Sequence, residues 1–184
     1  VGGEPGIGKS RVVQEAKEQA SEEGHAVREF RCSSYAQNTA FYPVIEHLQR
    51  WLQLQGEEPV DEKFRRLETA FEGYKKLPEG NVILFASLLR LPLLDRYDVP
   101  QLSPEKEREK SRALLVAWLC EESAQRPLLM VWEDLHWADP STVDLIQVLI
   151  DRAPKLYLFA LLPYRLSEFV PPWTPANHLN SVTL

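Results

Sequence analysis

Apolar side chains recur at helical or strand spacing along most of this chain. A helix is predicted over residues 10–24, where Gly24 is an ordinary terminating residue, and a short strand over residues 26–32. Residues 82–91 are apolar almost all round, which predicts a buried helix. Between them, two amphipathic helices are predicted by apolar residues three and four positions apart, namely Val44, Ile45, Leu48, Trp51 and Leu52, then Phe64, Leu67, Phe71 and Tyr74.

The second half of the chain alternates apolar strands with helices. After a proline-containing loop that starts at residue 93, Ser103 is a good N-cap for a helix reaching residue 125. Buried strands are predicted over residues 127–134, "PLLMVWED", and over residues 155–165, "KLYLFALLPYR". A helix over residues 139–154 joins them, and the proline-rich tail is expected to be irregular.

Strands that alternate with long helical crossovers indicate an α/β fold. Such strands form a parallel sheet with helices on both faces. The chain is expected to form one domain over residues 1–184, with a helical insertion over about residues 43–124.

Composition narrows the class of protein. The chain has 184 residues, 44% of them hydrophobic, and a formal net charge of −6, which does not favour direct contact with nucleic acid. Its apolar runs are too short to span a bilayer, and no signal peptide opens it. The two cysteines are far apart and the four histidines are scattered, so no zinc site is predicted. These features are typical of a cytoplasmic protein.

The chain opens on a glycine-rich stretch, "VGGEPGIGKS", that matches the phosphate-loop pattern G-x-x-x-x-G-K-[ST]. Glycines let backbone N–H groups approach phosphates closely, and the following helix points its positive end at the same anion. Lys9 is expected to reach the β- and γ-phosphates of ATP, and the Ser10 hydroxyl to bind Mg²⁺. A glycine-rich turn before a helix is the structural alternative. The predicted nucleotide-binding residues are Gly3, Gly6, Ile7, Gly8, Lys9, Ser10 and Arg11.

A pair of acids ends the strand "PLLMVWED". Mg²⁺ requires an oxygen ligand near a phosphate loop, and ligands of α/β sheets lie at the carboxyl ends of strands. Glu133 is assigned to Mg²⁺, directly or through water, and Asp134 to orienting the attacking water. The sequence does not decide which acid has which role. The alternative to a Mg²⁺ site is an ordinary acidic pair at the surface.

Four further positions near these motifs are candidate functional residues. Asp139 precedes Pro140 and a helix, so helix capping is the preferred interpretation. His136 and Trp137 are expected either to contact the nucleotide or to pack the loop against the sheet. Arg165 follows the last strand and either reaches the γ-phosphate, as a catalytic or sensing residue, or is an ordinary exposed arginine.

These segments resemble a known family. The stretches "GEPGIGKSR", "RCSSYAQNTAFYPVIEHL", "LSPEKEREKSRALL", "VWEDLHWADPSTVDLI" and "LLPYR" are similar to AAA-like ATPase modules of large bacterial signalling proteins, the signal-transduction ATPases with numerous domains. Such modules follow class III adenylate/guanylate cyclase domains, and related ones open LuxR-type transcriptional regulators.

The resemblance implies a P-loop NTPase fold and places the nucleotide motifs on particular residues. Gly3, Gly6, Gly8, Lys9 and Ser10 fall on the first motif, and Glu133 and Asp134 on the second. Arg165 falls on the arginine after the next strand, while Trp132 is bulkier than the residue usual there. The implied cofactors are ATP and Mg²⁺. The implied partners are neighbouring domains of the same polypeptide, either a cyclase or another effector, and helical repeats.

Three functions are compatible with these motifs. The favoured one is an ATP-binding switch that hydrolyses slowly and arranges neighbouring domains. A phosphoryl-transferring kinase would require a mobile arginine-bearing lid, and a nucleotide-holding scaffold would not turn ATP over.

The position of the phosphate loop leads to one more expectation. Such a loop follows a buried strand, and only Val1 and Gly2 precede Gly3 here. The chain is therefore expected to be a fragment, cut at the loop, where it lacks the first strand, and again in the irregular tail. In the AAA-like arrangement that the resemblance implies, the missing strand is central, between the strands of "LLMVWED" and "LYLFALL", so a gap or distortion is expected there.

Overall fold

The computed structural model describes residues 1–54, 56–92, 102–173 and 176–184. Within these ranges the chain is α/β, with three strands in one parallel sheet of order β1-β2-β3. The strands are β1 (Ala26–Arg31), β2 (Leu128–Glu133) and β3 (Leu158–Leu161). The helices are α1 (Lys9–Glu22), α2 (Tyr42–Trp51), α3 (Val60–Phe71), α4 (Asn81–Leu88), α5 (Pro104–Gln125) and α6 (Pro140–Arg152).

The predicted elements are present. Helix α1, β1, the helices of the insertion, β2 and α6 all form within a few residues of their expected bounds. The loop expected from residue 93 lies largely outside the described residues. Past residue 161, the described part of the tail contains turns and isolated bridges rather than helices or strands. None of the described helices combines the length and apolarity needed to cross a bilayer.

Side-chain alternation divides the sheet into two faces. On one face, Val13 and Ala20 of α1 cover Leu129, Val131 and Leu161 in a small apolar cluster. The other face carries the large core, which joins the sheet to α2, α3, α4, α5 and α6. Helices therefore cover both faces, as predicted, but the insertion packs on only one of them.

The core of the insertion is aromatic. Phe71 and Phe85 stack with centroids 3.9 Å apart, and Trp118 is fully buried beside them. Trp132 of β2 is also fully buried and stacks on Phe30 of β1 at 4.1 Å. Trp132 therefore fills the space between the sheet and the insertion, which explains why this strand accommodates so large a side chain.

The expectation of a gap beside β2 is wrong. Strands β2 and β3 pair directly in parallel register, from Leu128 opposite Leu158 to Val131 opposite Leu161. The first residues of the chain lie on the other side of β3, where Gly2 bridges both Tyr164 and Thr183. Local patterns identify strands but do not give their order, and here α6 connects two adjacent strands.

The last strand is shorter than predicted. It ends at Leu161, four residues before Arg165. Pro163 has no N–H to donate to a ladder, so the strand cannot continue regularly through it. The Tyr164 amide instead donates to the carbonyl of Val1. This contact places the segment after β3 beside the start of the phosphate loop.

Candidate nucleotide site

The glycines of the opening loop meet two different requirements. Gly6 and Gly8 have φ angles of 81° and 108°, in the region that glycine adopts without steric cost. Gly3 is instead limited by space, because an added Cβ would lie 2.8 Å from Cγ2 of Ile7. Larger residues at Gly3, Gly6 or Gly8 would therefore strain or shift this loop.

Helix α1 begins directly after the loop. Gly8 is its N-cap, and no acidic residue lies in its first turn. The first amides of a helix have no intrahelical acceptor, so those of Lys9 and Ser10 are free to bind an anion. The Arg11 amide is already bonded to the Gly8 carbonyl at 3.0 Å. The helix start therefore supplies both donors and a favourable dipole.

The ammonium group of Lys9 lies over the loop. Its Nζ donates to the carbonyls of Gly3 at 2.6 Å and Glu4 at 2.9 Å. These carbonyls are neutral acceptors, and a phosphate would offer the same cation a stronger, charge-assisted bond. The side chain thus lies where it could exchange these contacts for a phosphate, which fits the predicted role.

Three other predicted residues of this stretch are exposed to solvent. Ser10 lies in the first turn of α1, and half of the Ile7 surface is exposed. The Arg11 side chain is 84% exposed and its Nε donates to Glu15 at 2.9 Å. Arg11 therefore points along the surface of α1 and is engaged with a residue one turn later.

The two acids after β2 lie in different surroundings. Glu133 is half-buried and its Oε2 lies 3.5 Å from Nε of Arg31. Burial, reinforced by the charge of Glu29, raises the pKa of Glu133 above its usual value. Asp134 is exposed and has a φ of 52°, a conformation that aspartate tolerates better than most residues. The chain therefore turns sharply between the two carboxylates.

Asp139 is a helix cap, as preferred from the sequence. It is 2% exposed, and its carboxylate accepts from the backbone amide of Thr142 at 3.0 Å and from the Thr142 hydroxyl at 2.6 Å. It also accepts from the Phe41 amide at 3.1 Å, a bond that spans 98 residues. The last bond was not predicted, because only the folded chain brings α2 and α6 together.

Arg165 lies in a short turn after β3. Its Nη1 donates to Glu168 Oε1 at 2.7 Å, and its guanidinium lies 5.4 Å from the ring centre of Trp137. His136 lies next to the same pair, with Nε2 3.7 Å from Oε2 of Glu168. The imidazole is 1% exposed, yet neither ring nitrogen has a hydrogen-bond partner among the described residues. Burial lowers the pKa of His136, which favours its neutral form.

Charged residues of the phosphate loop, of the acid pair after β2 and of the turn after β3 act on one another. Lys9 and Asp134 both influence His136, and Asp134 and Glu4 both raise the pKa of Arg165, after its larger interaction with Glu168. Arg165, Trp137, His136 and Glu168 form one cluster beyond the carboxyl ends of β2 and β3, and Ser167 of the same turn contacts Glu4 of the phosphate loop. Glu133 instead faces a cluster formed by Lys17, Glu29 and Arg31.

Sequence reasoning missed Glu168. Its only signal was the three-residue spacing from Arg165, which suits an ion pair within one turn. Glu4 was also missed as a charged neighbour; its carboxylate accepts a long bond of 3.4 Å from the Ser167 hydroxyl. These contacts connect the turn after β3 to the phosphate loop.

The residues present fit a nucleotide with Mg²⁺ better than a protein-bound metal. Among the described residues, no three or more His, Cys, Asp or Glu side chains form a metal-binding group. Magnesium in nucleotide sites needs only one or two protein oxygens, because phosphates and waters supply the rest. The Ser10 hydroxyl and the Glu133 carboxylate are oxygen ligands of that kind.

A cleft of about 410 Å³ lies elsewhere. Its walls come from the end of α1, including Gln19 and Glu23, and from the starts of β2 and β3, including Leu128 and Phe159. Parallel strands begin at this edge, so the cleft faces away from the phosphate loop. It is not part of the candidate site.

Comparison with known proteins identifies the family of this chain. No curated protein and no solved structure matches the chain. A family model described as the AAA ATPase domain matches residues 1–161. The match includes the phosphate loop and the acid pair, and it ends before Arg165. Together with the loop geometry and the parallel sheet, it establishes that this chain belongs to the AAA ATPase domain family.

Proposed function

We propose that this domain is an ATP-binding regulatory switch that hydrolyses ATP slowly within a larger, cyclase-associated signalling protein. Membership of the AAA ATPase domain family supports nucleotide binding. The observation that carries the proposal is the ammonium group of Lys9 over the carbonyls of Gly3 and Glu4, with the turn that holds Arg165 attached to the same loop through Ser167 and Glu4.

Each residue has a defined task in this proposal. The loop from Gly3 to Gly8 and the first amides of α1 bind the phosphates, while Lys9 neutralises their terminal charge. Ser10 and Glu133 are the proposed Mg²⁺ ligands, and Glu133 would have to turn from Arg31 to take this role. The bound ion would supply further neutralisation of phosphate charge. Asp134 accepts a hydrogen bond from the attacking water. Its exposure is consistent with access to that water.

A switch also requires an element that responds to the terminal phosphate. Arg165 belongs to the turn that touches both motifs, through Trp137 on one side and, via Ser167, Glu4 on the other. A guanidinium that binds the γ-phosphate would move this turn relative to both loops. We propose that neighbouring domains of the polypeptide detect that change.

Turnover of ATP in the full-length protein tests this function. Asp134→Asn is the informative variant, because asparagine also tolerates a positive φ and keeps the side-chain shape. We expect it to bind ATP normally and to lose about a hundredfold or more in phosphate release, the lower end of the range for a general base. Glu133→Gln is expected instead to weaken the Mg²⁺ dependence of binding.

The outcomes separate the alternatives. If the two variants exchange these phenotypes, the roles of Glu133 and Asp134 are reversed. If the wild-type protein binds ATP but releases no phosphate, the domain is a nucleotide-holding scaffold and the hydrolysing switch is wrong.

A further inference from the structure

Arg165 is already occupied by an internal anion. Glu168 accepts its guanidinium at 2.7 Å, and this hydrogen bond lowers the pKa of Glu168 below its usual value. The guanidinium also lies over the Trp137 ring. Only one of the five N–H donors of the guanidinium is bonded to Glu168, so a stronger anion nearby would draw its charge away from this carboxylate.

Glu168 has a second possible partner close by. Oε2 of Glu168 lies 3.7 Å from Nε2 of His136, slightly too far for a hydrogen bond. That nitrogen is buried and without a partner among the described residues. A shift of less than one ångström would give Glu168 a new donor, so the carboxylate would not be left unpaired when Arg165 departs.

The pair also lies within reach of the candidate phosphate site. Arg165 responds to the charges of Asp134 and Glu4, and His136 to the charge of Lys9. The turn is attached to the loop at several points, since Leu166 packs against Gly2 and Ser167 contacts Glu4. A terminal phosphate bound at this loop would therefore be a second anion near the turn that holds Arg165.

We propose that Glu168 sets the preference of this site for ATP over ADP by competing with the γ-phosphate for Arg165. This inference rests on the proposed function. ADP lacks the phosphate that would displace Glu168, so it leaves the Arg165–Glu168 pair intact. ATP breaks the pair, and the cost of breaking it is subtracted from ATP affinity alone.

The test measures dissociation constants for ATPγS and ADP, both with Mg²⁺, in the full-length protein by calorimetry. Glu168→Gln removes the charge and keeps the shape at an exposed position. We expect ATPγS to bind about 2- to 5-fold more tightly, the range for one solvent-exposed ion pair. ADP affinity is expected to stay unchanged. The gain should vanish when Arg165→Gln is combined with Glu168→Gln.

Glu62→Gln is the matched control. Glu62 pairs with Arg65 at the same three-residue spacing in α3, and it carries the same charge change away from the loop. The inference is overturned if Glu168→Gln leaves the ATPγS-to-ADP ratio unchanged, or if both nucleotides gain equally as they would from loss of a negative charge. If the wild-type protein binds neither nucleotide, both the proposed function and this inference fail. If it binds ATPγS and only the ratio is unaffected, the inference alone fails.

Discussion

At the scale of single residues, buried polar groups occur where segments distant in the chain meet. Asp139 binds the amide of Phe41 besides capping its own helix. Glu121 in α5 accepts from the amides of Lys75 and Lys76 at 2.6 and 2.8 Å. Each carboxylate accepts hydrogen bonds from backbone amides that are shielded from water and would otherwise have no partner. Asp139 therefore fixes the start of α2 to the start of α6, and Glu121 fixes the loop between α3 and α4 to α5.

Replacing Asp139 by alanine is expected to be costly. The change removes a cap and leaves the Phe41 amide unpaired, for a combined loss of about 2 to 4 kcal/mol in the free energy of unfolding. Urea denaturation measures this loss. Ser103→Ala is the control, since Ser103 caps α5 with a single exposed bond of 3.4 Å and should cost about 1 kcal/mol or less. Equal losses would contradict a bridging role for Asp139.

His47 predicts a dependence of stability on pH. Burial and the nearby charge of Arg28 lower the pKa of His47 to about 4, while the unfolded chain titrates near its ordinary value of 6.5. The unfolded state therefore takes up a proton first as the pH falls. Stability contributed by neutral His47 is fully present above pH 6.5 and decreases toward pH 4, by about 3 kcal/mol in total.

Denaturant unfolding of wild type and His47→Gln at pH 7, 5 and 4 measures this contribution. We expect the difference in unfolding free energy between the two proteins to shrink as the pH falls. Parallel pH profiles would show that His47 does not titrate between these values.

At the scale of elements, β1 is attached to α5 through a buried ion pair. Arg28 and Glu122 lie 2.6 Å apart with side chains only 11% and 3% exposed, and the guanidinium lies 4.3 Å from the ring centre of Trp51. Such a pair adds little net stability over an apolar pair, but removing one partner leaves a buried charge. The pair therefore fixes the position of α5, and with it the insertion, relative to β1.

A double-mutant cycle tests this attachment. Glu122→Gln is expected to lower the free energy of unfolding by about 3 to 5 kcal/mol, whereas adding Arg28→Met should recover part of the loss. The exposed pair Arg65–Glu62 provides the control cycle, and its coupling is expected to be much weaker because water screens both charges. Purely additive losses at Arg28 and Glu122 would show that the pair does not act as a unit.

The elements themselves could be predicted from sequence, and their arrangement only in part. Capping signals at Ser103 and Asp139 and apolar periodicity locate the helices, because these are local effects. The position of β3 beside β2, and the contact of Glu168 with Arg165 and His136, depend on long-range topology. The glycine pattern located the phosphate loop, since its chemistry is contained in eight consecutive residues.

At the scale of the whole molecule, the insertion and the sheet share one core. A single buried cluster contains Phe30 and Trp132 of the sheet, Phe85 and Trp118 of the insertion, and Leu149 of α6. Neither part buries its apolar surface without the other. The two parts are therefore expected to unfold together.

Equilibrium unfolding in urea examines this expectation. Far-UV circular dichroism reports on all helices, and tryptophan fluorescence reports mainly on buried Trp118 and Trp132. The two transitions should coincide, as for a two-state domain. A fluorescence change that precedes the loss of helix would indicate that the insertion separates from the sheet.

Nucleotide binding by the loop is the central claim, and calorimetry of ATP with Mg²⁺ tests it most directly. Lys9→Ala in the full-length protein removes the cation that lies over the loop carbonyls. The expected loss in affinity is about 10- to 100-fold, the effect of removing one charge-assisted interaction. The control variant Lys106→Ala, at an exposed position in the first turn of α5, should bind ATP as the wild-type protein does. A Lys9→Ala variant that binds ATP as tightly as the wild-type protein would contradict the account.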